Sequence, residues 1–253
     1  MTELNVQRSG RGRPLLFLHG ATLDHRMWHP QLALADRFEI VTCDLRGFGT
    51  SPAPTGHFKH CEDLASLLDE LGLRDVCVIG HSIGAHYALE VALLRPDVVT
   101  GLVSVCMSGL TQDYPADILA MFGELKRLAR TQSVEAAKAV WARCGWFTQA
   151  RAQPALAALL DDYLRDYTGW YWRNDTPATN LVPPAIDRLE QVAVPTLVIE
   201  GALDLDYNHR IARTLVSRIP RPELLRLPGI GHMASLEAPD EVTRAIGQHC
   251  SSR

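Results

Sequence analysis

Val76-Cys77-Val78-Ile79-Gly80-His81-Ser82-Ile83-Gly84-Ala85-His86 is the stretch on which the reading of this chain turns. Its first four residues form an unbroken apolar run of strand length. From Ile83 to Leu94 the chain is apolar almost all round, as a helix buried on every side requires, and Pro96 ends it. Between strand and helix lies Gly80-His81-Ser82-Ile83-Gly84. A serine at so sharp a turn is held in a strained backbone that lifts its hydroxyl above the sheet edge. The N-terminus of the following helix points at it, and helix-end N–H groups favour negative charge developing there. The same five letters in a loop would carry little weight; the strand and helix on either side give them meaning.

Short apolar runs alternate with helical patterns on both sides of this turn, the mark of a mostly parallel sheet with crossover helices. Upstream, Leu15–Leu18 is a strand closing on His19-Gly20, and Glu39–Cys43 another ending at Asp44. Leu64, Leu67, Leu68 and Leu71 recur at helical spacing, with Gly72 at the stop position. Downstream come Leu102–Cys106, Thr196–Ile199 and Glu223–Leu227, and an edge strand is expected around Leu4-Asn5-Val6. Residues 109–194 interrupt this alternation. They are too long for a simple crossover, rich in alanine, and hold four of the five tryptophans. We read them as a helical cap inserted into a core of residues 1–108 and 195–253, seated over the strand ends where open α/β sheets bind ligands.

A serine hydroxyl needs a base to take its proton. Of ten histidines, His232 is the candidate: it sits in Gly229-Ile230-Gly231-His232-Met233, after the last expected strand and on the sheet edge that carries Ser82. The base in turn needs a carboxylate to fix its tautomer. Asp204 follows the strand Thr196–Ile199 through Gly201-Ala202-Leu203, and Asp206 is its rival; the strand-end loop favours Asp204. A tetrahedral intermediate also needs N–H donors, for which the amides of Ile83 and of Ala21, after His19-Gly20, are the candidates.

Bulk properties narrow the function. The 253 residues are 47% hydrophobic and 21% charged, enough for a full core, and the net charge of −4 gives no basic surface for nucleic acid. No apolar run is long enough for a membrane span, and the N-terminus does not read as a secretory signal. Six scattered cysteines without a CxxC pair fit free thiols in a reducing compartment, so a cytoplasmic location is expected. No P-loop is present, and Gly47-Phe48-Gly49 lacks the glycines and context of a dinucleotide site. His25/His29 and His57/His60 have helical spacing but no further ligands, so no metal and no cofactor are expected. Arg8, Arg11 and Arg13 read as a solvated turn.

Taken together, Leu18-His19-Gly20, Asp44-Leu45-Arg46-Gly47-Phe48-Gly49-Thr50-Ser51, Gly80-His81-Ser82-Ile83-Gly84, Gly201-Ala202-Leu203-Asp204 and Gly231-His232-Met233 resemble the α/β-hydrolase superfamily, in its capped, small-substrate branch. The overall look is that of enol-lactone hydrolases and carboxylesterases. The resemblance spans nearly the whole chain in the family's order. It implies an α/β-hydrolase fold with a helical cap, Ser82, Asp204 and His232 as catalytic residues, and Ala21 and Ile83 as the oxyanion hole. Dehalogenases and epoxide hydrolases of this fold use an aspartate where this chain has Ser82. His86 departs from the usual pattern and reads as a core histidine.

The expected activity is hydrolysis of a carboxylic ester or lactone of a small, largely apolar molecule through an acyl-enzyme. Carbon–carbon bond hydrolysis, perhydrolysis or a lyase reaction on the same triad stands as an alternative, as does a receptor that keeps the pocket for binding. The aromatics between Trp141 and Trp172 have two readings, as pocket lining and as packing of cap on core. Trp146, Trp170 and Met233 are the candidate pocket residues. The substrate's identity and the oligomeric state are not legible in the sequence.

Overall fold

A computed structural model describes residues 3–111, 113–175 and 178–251. Its frame is a seven-stranded sheet in the order β1-β3-β2-β4-β5-β6-β7. The strands are β1 (Val6–Gly10), β2 (Pro14–Leu18), β3 (Glu39–Cys43), β4 (Val76–His81), β5 (Val99–Val105), β6 (Thr196–Gly201) and β7 (Pro222–Leu227). All neighbours run parallel except β1, which pairs antiparallel with β3, Val6 opposite Cys43. Every residue of β2 and β4 is buried, as expected of central strands covered on both faces. β7, at the edge, buries only Leu227 fully.

The helices are α1 (His60–Glu70), α2 (Ile83–Leu94), α3 (Ala116–Thr131), α4 (Val134–Trp141), α5 (Thr148–Arg151), α6 (Pro154–Asp166), α7 (Trp170–Arg173), α8 (Asp206–Arg218), α9 (Ala234–Glu237) and α10 (Pro239–Ser251). Three 3₁₀ stretches, His25–Asp36, Gly145–Phe147 and Ala185–Gln191, complete the set. Helix α2 packs on β4 and β5 and is covered in turn by α1, while α10 packs on the stretch His25–Asp36. Among the described residues no helix is long and apolar enough to cross a membrane. All six cysteines are buried free thiols.

Two expectations shift. The edge strand is Val6–Gly10 rather than Leu4–Val6, because Asn5 is spent elsewhere: its amide side chain donates to Asp44 (2.8 Å) and its backbone N–H to Ser51 Oγ (2.8 Å). Arg13 is no solvated turn residue. Its guanidinium donates to the carbonyls of Asp75 (3.0 Å) and Cys250 (2.8 Å) and to Thr100 Oγ1 (2.6 Å), tying three distant segments together. Arg8 pairs with Glu39 across the edge.

Between β5 and β6 the chain forms α3 to α7 and then returns. The returning stretch Ala185–Gln191 packs against α2 and α8. It is led in by Leu181, whose N–H donates to the buried carboxylate of Glu90 in α2 (2.7 Å). His86 lies buried one turn before Glu90, 3.4 Å from it, in keeping with the core reading.

Candidate active site

Ser82 joins β4 to α2 with φ 55° and ψ −121°, a conformation that costs a non-glycine residue about 1–3 kcal/mol. Its neighbours over-determine it. The Ser82 N–H donates to Val105 O (2.9 Å), and its carbonyl accepts from Ala85 N (3.1 Å) and Ser108 N (3.2 Å). The turn closes because Gly80 has no side chain, since a Cβ there would run into Gly84 O and Ala85, and it lies against the end of β2 because a Cβ on Gly84 would run into the carbonyls of Leu18 and His19.

His232 arrives on the loop after β7 and Asp204 on the loop after β6, both at the edge of the sheet where β4 ends. The two loops lie against each other, since Leu203 N donates to Ile230 O (2.8 Å) and Ala202 N to Leu227 O (2.9 Å). A Cβ on Gly201 would overlap the carbonyl of Gly231, so this approach depends on glycine. The side chains then meet in a chain. His232 Nδ1 lies 2.8 Å from Asp204 Oδ2, and His232 Nε2 lies 3.0 Å from Ser82 Oγ. The carboxylate can only accept, so Nδ1 carries the proton and Nε2 offers its lone pair to the serine hydroxyl. Asp204 Oδ1 is held by the N–H of Leu205 (2.7 Å). Asp206 opens α8 and takes no part.

Support comes from residues outside the triad. Glu237 braces the His232 loop from both sides, its two oxygens accepting from Gly231 N (2.7 Å) and Met233 N (2.9 Å). Burial pushes its carboxyl above the ordinary glutamate range, against these two bonds. His19 Nδ1 donates to Gly20 O (2.8 Å) and its Nε2 accepts from Leu45 N (2.9 Å), which pins the start of the loop holding Ala21. Burial depresses the His19 pKa, in keeping with a neutral ring in this double role. The Ala21 and Ile83 amides donate to no protein acceptor among the described residues, and both residues face the same cavity as Ser82.

That cavity lies between the sheet edge and the inserted helices. Trp146 and Met233 line it as expected. Trp170 does not: it opens the single turn α7 and packs edge-on against Tyr171 (5.0 Å between ring centroids). Aromatic character alone could not separate the two, because a one-turn helix shows no periodicity from which to read a face. The sequence reading also passed over Tyr114 and Phe122, which face the cavity. Two indoles act as struts. Trp141 Nε1 donates to Thr22 Oγ1 (2.8 Å) beside Ala21, and Trp146 Nε1 donates to Asn208 Oδ1 (2.9 Å). Among the described residues no lysine or arginine lines the space.

Two trios of potential metal ligands occur among the described residues, Cys106/Asp204/His232 and Asp24/His25/Asp44. In the first, burial holds the Cys106 thiol well above its ordinary pKa, so it packs as a neutral group beneath the His232 loop. In the second, both aspartates are saturated by protein donors.

The hydrogen-bonded line from carboxylate through imidazole to hydroxyl can turn a serine into a nucleophile at the floor of an apolar space. Comparison with known proteins agrees with this architecture. The model of the alpha/beta hydrolase family matches residues 15–245. The lipase LipV of Mycobacterium tuberculosis is 33% identical over 266 residues, covering 99% of both chains. The 2-(acetamidomethylene)succinate hydrolase of Mesorhizobium japonicum is 32% identical over 257 residues, covering 96% of this chain and 90% of the relative. The enol-lactonase of Burkholderia xenovorans LB400 superposes with a TM-score of 0.81 at 23% identity, over 98% of this chain and 96% of that one. The seven-stranded sheet flanked by helices and the match along nearly the whole sequence lead to one assignment: the chain belongs to the α/β-hydrolase family.

Proposed function

We propose that this hydrolase cleaves a carboxylic ester or lactone of a small, largely apolar substrate through an acyl-enzyme on Ser82. The observation that carries the reading is the continuous relay Asp204–His232–Ser82, with bonds of 2.8 and 3.0 Å, opening into a cavity lined mainly by aromatic and aliphatic side chains. His232 takes the Ser82 proton as Oγ attacks the carbonyl carbon. The negative charge that develops on the carbonyl oxygen is met by the N–H groups of Ala21 and Ile83, with the N-terminus of α2 behind them. His232 then hands its proton to the departing alkoxide. In the second half the same histidine draws a proton from water as it attacks the acyl carbon, and Ser82 is regenerated. Asp204 stays ionised throughout, fixing the ring and stabilising the imidazolium. Residues 109–194 serve as the cap that gives the site its walls. The lipase and the hydrolase among the relatives support this class of chemistry.

The test is the intact mass after treatment with a fluorophosphonate, with Ser82→Ala as control. One adduct on the native protein and none on the variant is the expected outcome, followed by turnover of simple esters or lactones that Ser82→Ala lowers by about 10³-fold or more. A native protein that stays unlabelled, or a variant that keeps full activity, would remove Ser82 from the chemistry.

A further inference from the structure

Most polar groups facing the cavity are already spoken for. Trp141 is bonded to Thr22, and His232 is part of the relay. Tyr207, stacked on Tyr114 (4.7 Å between ring centroids), donates to Thr111 O (3.0 Å). Ser108 is different, and the reason is Asn208. An indole N–H can only donate, so the 2.9 Å bond from Trp146 Nε1 fixes which end of the Asn208 amide is oxygen. The amide nitrogen then faces Met107 O (2.8 Å) and Ser108 Oγ (3.0 Å), and each of its two hydrogens has an acceptor. Ser108 Oγ is therefore an acceptor from Asn208, and its own proton is left over. Ser108 is only 3% exposed, lines the cavity beside Ser82, and has no acceptor for that proton among the described residues. A buried O–H without a partner is costly, which makes the site a demand for an acceptor from outside the chain. His81 also has ring nitrogens without partners at this wall, but nothing fixes its tautomer. The Ser108 proton alone is directed by a network.

We infer that Ser108 is a substrate-binding residue whose hydroxyl, held by Asn208 as a donor toward the cavity, takes an uncharged oxygen acceptor that the substrate carries beside its scissile bond. The acceptor is an ether, carbonyl or hydroxyl oxygen and not a carboxylate, because no lysine or arginine is there to offset a buried negative charge. Asn208 and Trp146 act through Ser108 as positioning residues. This inference rests on the esterase reading of Ser82.

The test uses esters that differ by one oxygen for one methylene: 4-nitrophenyl methoxyacetate against 4-nitrophenyl butanoate on the acyl side, and 2-methoxyethyl acetate against butyl acetate on the alcohol side. An ether oxygen also changes intrinsic reactivity, so the readout is how the kcat/KM ratio of each pair changes between proteins. In one arm, Ser108→Ala lowers the ratio by about 3- to 10-fold, the value of one hydrogen bond, while leaving the methylene ester within a few fold. Ser108→Thr keeps the hydroxyl and restores the ratio. Asn208→Ala lowers it too, because it removes the donor that holds the Ser108 proton toward the cavity. A structural role for Ser108 would move both esters of a pair together. Ratios unchanged within about twofold in both arms, with the methylene esters still turned over, sink the inference alone. No Ser82-dependent turnover of any of the four esters, with no fluorophosphonate label, sinks the esterase reading and this inference with it.

Discussion

Among the described residues, two histidine–aspartate pairs have the same length and opposite character. His232 Nδ1 lies 2.8 Å from Asp204 and His25 Nδ1 lies 2.8 Å from Asp44, and each aspartate follows the C-terminal end of a strand, β6 in one case and β3 in the other. They differ in what lies around and beyond them. The Asp44 carboxylate gathers donors from Asn5, from the backbone and ring of His25, and from the backbone and hydroxyl of Thr50. Burial would raise its pKa, but these bonds outweigh burial and hold it well below the usual carboxylate range. Among the described residues the Asp204 side chain has only His232 and Leu205 as partners, and the far nitrogen of His232 ends on a hydroxyl in an open cavity. A carboxylate–imidazole pair is therefore not a site by itself. One that is saturated fastens a loop, while one left with a free end can do chemistry.

The largest effects should separate the two pairs completely. Asp204→Asn keeps the shape of the site but allows the wrong tautomer of His232, so kcat/KM for an ester falls on the order of 10³- to 10⁴-fold while the thermal midpoint stays within a few degrees. His232→Ala is expected to do at least as much. Asp44→Asn reverses the signature: the protein loses several degrees of stability, since a fully buried carboxylate with many donors is disturbed, and the folded fraction keeps its rate within a few fold. Equal rate losses in Asp44→Asn and Asp204→Asn would abolish the distinction. Asp206→Asn, two residues from Asp204, should change the rate by less than threefold, because Asp206 lies at the start of α8 outside the relay.

An intermediate effect should come from Glu237, which only the folded structure reveals. Glutamine can accept with one oxygen but not two, so Glu237→Gln leaves one of the N–H groups of Gly231 and Met233 facing another N–H. The loop shifts and His232 with it. A displacement of an ångström at a reacting group costs roughly 10- to 100-fold. The loss should lie in kcat rather than KM, as expected of a residue that positions the base without touching substrate. A change confined to KM would place Glu237 in substrate binding instead.

What could be read before folding follows the same division between pattern and environment. The parallel strands β2 to β6 were legible because strands buried on both faces have to be continuous apolar runs, and Leu15–Leu18 and Val76–Ile79 are such runs. Ser82, Asp204 and His232 were legible as candidates because each sits on a strand-end loop with glycine nearby, and the structure brings all three together. Ala21, Ile83, Trp146 and Met233 are found around the same cavity, and Trp170 is not. The remainder was hidden because its meaning lies in partners distant in sequence. Nothing local to Glu237, His19 or Asn208 states what they hold, and Asn208 in particular reads as one polar residue in a surface helix until Trp146, 62 residues away, is placed against it. His25 was weighed for its spacing from His29, whereas its partner is Asp44, 19 residues on.

The smallest expected effect is on the pH dependence of stability, and it tests the fastening role of His25 directly. The hydrogen bond to Asp44 is the main cause that raises the His25 pKa, so the folded state favours its protonated form. The stabilisation is then complete below the unfolded histidine value of about 6.5 and is lost as pH rises through the higher folded value. Asp44 has the opposite sign: its folded pKa is depressed, so its contribution is complete above about 4 and is lost as pH falls through the depressed value. Both contributions are complete together between about pH 4 and 6.5. The thermal midpoint of the native protein should therefore exceed that of His25→Gln most within that window, by a few degrees at a ring that is partly solvent-exposed, and the gap should narrow as pH rises toward 8. Glutamine can still donate one neutral hydrogen bond to Asp44, so the part that disappears with pH isolates the charge on His25 from its packing. A gap that holds constant from pH 5 to 8 would make His25 a neutral strut, and the contrast between the two pairs would then rest on the cavity alone.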